Sequence, residues 1–301
     1  METLLSHSFD YLSSTSPQKI RKGLRQVEGL LAQICMSRAN TERQNKRHSM
    51  LVLSSTSEDT KTREHKNLDQ LPADPAYREF FNLQQGFQWN VTIRLIKCLE
   101  RLLGKESNGT NDLLVIQCLE LIQGILLLHP PSRDLFAREV YMNLFLDLLD
   151  PSSCPAIQSA TLLALVTSLL DYPQHTRTFE SLDGLLVITS LFKSRSTSRE
   201  VKMKLVEFLY FYLMPETIPT SPVKMTASAT NTAVLGGRGR EIHAAFDRNR
   251  RRETLSSPAK EEKSDEKTRS TDEKQNMLSK YLSKVQDLVE DLKEGGGPFA
   301  T

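Results

Sequence analysis

This sequence of 301 residues has no CxxC pair, no apolar run approaching a membrane span and no marked excess of charge of either sign. Its four cysteines, Cys35, Cys98, Cys118 and Cys154, stand far apart, which excludes the ligand spacing of a zinc cluster or a thioredoxin-type site. Cys98 and Cys118 fall inside the apolar helical patterns LIKCLERLL and VIQCLELIQ, so buried, reduced thiols are expected, as in a cytosolic or nuclear protein. A spanning helix needs about 20 apolar residues, and the longest run, around ILLLH, is far shorter. The opening METLLSHSFDYL has no basic segment ahead of an apolar core, so no secretory signal is expected. A net charge of +2 gives no global electrostatic case for nucleic acid or anionic lipid.

The constellations of an enzyme are missing as well. The histidines His7, His48, His65, His129, His175 and His243 are scattered, with no HExxH or HxxxH, and no GxSxG occurs. GGRGR at 236–240 lacks the lysine and the strand–helix frame of a phosphate loop and reads as linker. No catalytic residue, metal site or cofactor is expected.

What is present is helical periodicity. Length alone suggests roughly two domains of ~150 residues, but composition favours one helical domain with disordered segments. Helices are predicted over 1–12, 17–36, 76–86, 88–103, 112–128, 133–149, 156–171, 177–193 and 199–214. Ser16-Pro17 marks a helix start, serine capping and proline in the first turn. No segment alternates apolar and polar residues over a strand's length, so the fold class is all-α.

An internal repeat sharpens this. LIQGILLLHP ends at Pro130, ALVTSLLDYP at Pro173 and VEFLYFYLMP at Pro215, prolines 43 and 42 residues apart. Beyond the first of them, Phe136, Leu144, Leu148 and Leu149 correspond at that period to Phe179, Val187, Leu191 and Phe192, and Arg133 is near register with Arg177. A unit of ~40–47 residues with two or three helices marks an armadillo- or HEAT-like solenoid. The expected organisation is N-terminal solenoid helices over 1–37, a disordered insertion over 38–74 and the repeat core over 75–215. A disordered linker follows over 216–271, then an amphipathic helix over 272–294 capped by Thr271. In that helix Leu278, Tyr281, Val285, Leu288 and Leu292 form a seam of about two heptads, too short to stand alone.

The stretch KMKLVEFLYFYLMPE crowds Phe208, Tyr210, Phe211 and Tyr212 into one helix that is apolar nearly all round. Three covers are open for it: the core itself, the C-terminal helix folding back, or a partner. Phe208, Tyr210, Phe211 and Tyr212, with Leu278, Tyr281, Val285 and Leu288, are therefore the candidate partner-binding residues. The linker segment RGREIHAAFDRNRRR carries six arginines, Arg248, Arg250, Arg251 and Arg252 clustered among them, against Glu241 and Asp247. That cluster suits an acidic surface if it is more than solvated linker. Ser221-Pro222 and Ser257-Pro258 fit proline-directed phosphorylation, and Thr254 after Arg251-Arg252 fits a basophilic kinase.

KMKLVEFLYFYLMPE, SKYLSKVQDLVEDLKE and QKIRKGLRQVEGLLAQIC together resemble the fungal cell division control protein 14 family of the septation initiation network. The phosphatase of the same name is excluded by the missing cysteine–arginine loop. The resemblance implies a non-catalytic subunit that binds a Ste20-class protein kinase at the spindle pole body and promotes septum formation and cytokinesis. It implies a cytoplasmic protein with no small-molecule substrate, and the near-neutral net charge makes nucleic acid an unexpected partner. The alternative is a general armadillo-like adaptor that links a protein partner to an acidic membrane or nucleic acid through the basic tail.

Overall fold

The computed structural model describes residues 1–36, 66, 68–104, 109, 111–216 and 268–286. Every regular element among them is helical, in agreement with the all-α expectation. In chain order these are α1 (Glu2–Leu12), α2 (Pro17–Cys35), a 3-10 helix (Leu68–Ala73), α3 (Pro75–Gln85), α4 (Val91–Leu103) and α5 (Asp112–Leu128). Then follow a 3-10 helix (Pro130–Ala137), α6 (Glu139–Leu148), α7 (Pro155–Leu169), α8 (Pro173–Ser181), α9 (Gly184–Lys193), α10 (Arg199–Leu213) and α11 (Thr271–Leu278). No single described helix is long and apolar enough to cross a membrane.

Helix starts follow local chemistry. Proline occupies the first turn of α2, α3, α7 and α8, where its missing N–H costs nothing. The Asp74 carboxylate accepts the Ala76 N–H at 2.7 Å, the Asn90 side chain accepts Ile93 N–H at 3.0 Å, and Ser198 accepts Val201 N–H at 3.3 Å. Ser16 departs from expectation. It stands before Pro17 in extended conformation, but its side chain makes no capping bond. Order also resumes earlier than Pro75. Lys66 donates to the Ile34 carbonyl at 3.0 Å and pairs with Asp74, and Leu71 is buried, so the end of the predicted insertion is tied to α2 and α3.

The predicted helices 133–149 and 177–193 are each divided in two. The first breaks at Arg138, whose backbone is extended, and the second at Leu182-Asp183, where Asp183 takes φ 57°. Packing explains the breaks. In one straight helix Phe136 and Phe145 would lie about 13 Å apart along the axis; the fold-back stacks their rings at 4.7 Å. In the next unit α9 returns so closely on α8 that a Cβ on Gly184 would lie 2.2 Å from Cε2 of the fully buried Phe179. Gly184→Ala is therefore expected to cost about 2 kcal/mol or more by overpacking, read as a lowered midpoint in thermal unfolding.

The breaks fall at matching places, so each period holds three helical segments rather than two. The helices closed by the three prolines pack in series, α5 against α7 and α7 against α10, and the 3-10 helix Pro130–Ala137 packs against its counterpart α8. This succession is compatible with the solenoid expectation. The middle member, α7, is buried on nearly all sides, and its polar groups turn inward on its own backbone. Thr161 Oγ1 donates to the Ile157 carbonyl and Thr167 Oγ1 to the Leu163 carbonyl, each at 2.8 Å, and Ser168 Oγ to the Leu165 carbonyl at 2.7 Å. A recurring arginine joins successive units. Buried Arg133 donates to the Leu126 carbonyl at the end of α5 (3.1 Å), to the Leu170 carbonyl at the end of α7 (3.0 Å), and to Asp171 (3.3 Å). Cys98 and Cys118 are buried free thiols, as the apolar patterns implied.

Candidate functional site

The aromatic helix α10 ends the series, and residues 268–286 lie over that end. Phe208 is fully buried and meets Phe179 at 5.5 Å between ring centroids; Tyr210 and Tyr212 are buried, and Phe211 is half-buried. α11 packs on α10, with Leu278 and Val285 buried beneath the tail and Tyr281 half-buried at its edge. In this conformation the core takes Phe208 and the tail covers much of what remains. Leu288, the cluster Arg248, Arg250, Arg251 and Arg252, and the sites Ser221, Thr254 and Ser257 lie outside the described residues.

The tail departs from the expected continuous helix over 272–294. It is capped by Ser270, not Thr271: Ser270 Oγ accepts the Glu273 N–H, and the Glu273 carboxylate accepts the Ser270 N–H, a reciprocal capping box. The helix stops at Leu278, and residues 279–284 form turns. A tertiary contact holds the turns that follow. In a continuous helix the Tyr281 carbonyl would accept the Val285 N–H; here it accepts Nζ of Lys193 at the end of α9.

Between tail and helices lies an ionic network that the sequence does not announce. Arg177 on α8 grips the Glu216 carboxylate with two bonds, of 2.9 and 2.5 Å. Glu216 also receives the Arg269 N–H at 2.9 Å, while its own N–H donates to the Arg269 carbonyl at 3.1 Å. The two ends of the connection through 217–267 are thereby pinched together. Lys274, itself buried, donates to the Met214 carbonyl at 2.9 Å, stands 3.3 Å from Glu216 and lies over the Tyr212 ring. Tyr212 donates its hydroxyl to Glu180 at 2.7 Å, and Glu180 also pairs with Arg269. A cavity of about 220 Å³ opens beside the network, lined by Tyr172, Pro173, Phe211, Met214 and Lys274 among others.

The electrostatics are those of a latch. Burial alone would raise the Glu216 carboxyl; the hydrogen bond from Arg177, the Arg269 N–H and the Lys274 charge outweigh it and hold the group below the usual carboxylate range. Burial pushes the Lys274 ammonium down, against the opposing pull of Glu216. The two partners thus disagree on what the pair is worth. Glu216 has three donors and gains from the folded state. Lys274 is charged at a cost that is relieved only as pH rises past its depressed value. Burial and the bond to Glu180 push the Tyr212 hydroxyl well up, which keeps it a donor.

Glu216 sets the acid response. Its folded value lies below its unfolded one, so its contribution is complete above the ordinary glutamate range and disappears as pH falls through the depressed value. Acidification below roughly pH 4 should release residues 268–286, with their amide resonances moving to random-coil positions in nitrogen-15 spectra before those of α5 and α7 do. Tail resonances unchanged to the point of global acid unfolding would exclude Glu216 as the anchor.

In the sequence Tyr212 stood out in the aromatic helix, Arg177 by its near-register match to Arg133 and Glu216 only as the last residue of KMKLVEFLYFYLMPE; nothing marked these groups, or Glu180 and Arg269, as one another's partners. Among the described residues no group of three or more His, Cys, Asp or Glu is placed to hold a metal ion.

Comparison with known proteins reaches across the whole chain. The family described as cell division control protein 14, SIN component, matches residues 1–299. The chain is 29% identical over 300 residues to cell division control protein 14 of Schizosaccharomyces pombe, covering 97% of this chain and 94% of that protein. No solved structure matches.

Proposed function

The chain belongs to the cell division control protein 14 family of septation initiation network components, and from that premise we propose that it is a non-catalytic regulatory scaffold for a Ste20-class protein kinase. It acts at the spindle pole body to promote septum formation and cytokinesis, and it captures the kinase at the aromatic end of the helical series.

The observation that carries this reading is the way that end is closed. Residues 268–286 cover it through charged groups and few apolar side chains, with Leu278 and Val285 the buried apolar pair. Such a cover can be exchanged, because a competing protein surface can supply carboxylates and cations in its place. Phe211 and Tyr281, half-buried at the edge, are the first groups a partner meets. Tyr210, Tyr212, Leu278 and Val285 come within its reach only as the tail moves, and Phe208, held in the core against Phe179, acts by fixing the helix that presents them.

The test is recovery of the tagged full chain from its own cells, with its stoichiometric companion identified by mass. A Ste20-class kinase in equal amount is expected, and recovery of that kinase should fall about tenfold with Phe211→Ala and Tyr281→Ala combined, the loss of two aromatic contacts. A chain that purifies alone, or with a companion of another class, overturns the kinase assignment. Undiminished kinase recovery by the double variant overturns the proposed surface.

A further inference from the structure

A second surface shares no lining residue with the tail seat. Between α6 and α9, the corresponding helices of successive units, runs a groove of about 620 Å³. Its apolar floor includes Leu146, Leu182, Leu186 and Val187, and its rim carries Asp147 and Asp150. Leu186 is 46% exposed, and Val140, two helical turns before Asp147 on the same face of α6, is 70% exposed. Leu186, left this open beside Leu182 and Val187, makes the apolar floor accessible to a partner's apolar face.

Charge states what fits. Both titratable groups lining the groove are carboxylates, and no lysine or arginine lines it. Asp147 enters no ion pair among the described residues. Asp150 accepts the Ser152 N–H at 2.8 Å and its hydroxyl at 2.5 Å, bonds that favour the ionised carboxyl. An apolar floor with an acidic rim complements a helix whose apolar stripe is bordered by cations.

We propose that the α6–α9 groove is a docking site for a basic amphipathic helix of a partner protein, its apolar face laid on Leu186 and its lysines or arginines against Asp147 and Asp150. The chain then holds two proteins at once, one at the aromatic end and one along this groove.

The probe is a fluorescein-labelled synthetic helix of about 14 residues, with leucine at i, i+3, i+4 and i+7 and lysine elsewhere, titrated into the full chain by anisotropy. Saturable binding is expected, weakened about tenfold by Leu186→Glu and likewise by Asp147→Lys, and weakened by salt. The Asp147→Lys chain should gain affinity for the same peptide with glutamate in place of lysine. Both positions are exposed, so thermal midpoints should not move. Absence of saturable binding overturns the proposal. Binding indifferent to both substitutions overturns it too, since the peptide then adheres elsewhere. A free chain that sediments as a dimer and becomes monomeric with Leu186→Glu also overturns it, by making a second copy the occupant.

Discussion

Leu209→Asp is expected to abolish cooperative folding of the C-terminal half of the helical series. Leu209 is fully buried on α10, the helix that follows α7 in the packing order. Removing the leucine forfeits about 2–3 kcal/mol of apolar burial. Placing a carboxylate in that fully buried position adds several kcal/mol more through lost hydration. The sum consumes much of the ~5–15 kcal/mol by which a domain is stable. Circular dichroism should show lost helix and hydrogen exchange should show unprotected amides from α7 through α10. A melt within a few degrees of the parent protein would mean that α10 does not belong to the core.

Glu216→Ala should have the next largest effect, and a more local one. The substitution leaves Arg177 and buried Lys274 without their shared carboxylate, and breaking a buried pair from one side costs about 3–5 kcal/mol. The tail should detach while α5, α7 and α10 stay folded, visible as faster hydrogen exchange confined to residues 268–286. A second substitution separates charge from shape. Adding Lys274→Met removes the stranded ammonium and should restore part of the lost protection, since the apolar side chain suits the walls of Tyr212 and Met214. If the double variant is as loose as the single one, Lys274 is not held by Glu216. The latch would then rest on Arg177 and the Arg269 N–H.

Both expectations turn on features legible to different degrees in the residues. The helices that Pro130, Pro173 and Pro215 close were readable because apolar spacing and a terminating ring are local properties, and so was the correspondence of Phe136 with Phe179. The breaks at Arg138 and Asp183 were not. Each segment on its own has a helical period, and only the stacking of Phe136 on Phe145, or the room Gly184 leaves for Phe179, makes folding back better than running straight. The tail shows the same contrast. Its seam predicted a helix through 294, yet the described helix ends at Leu278, where Lys193 from a distant element takes the Tyr281 carbonyl.

By itself the sequence determined the all-α class, the period near 43 residues, the buried thiols and the kinship to the septation family. Periodicity and pattern are written in neighbours along the chain, where each residue's preference acts independently of the rest. Tertiary structure alone decided where the helices fold back, that Glu216 and Arg269 close the neck of a long connection, and which face of α10 the tail covers. Those outcomes depend on pairs such as Arg177 with Glu216 and Glu180 with Arg269, charges far apart in sequence. Their energies arise only once burial has brought them together in a low-dielectric setting.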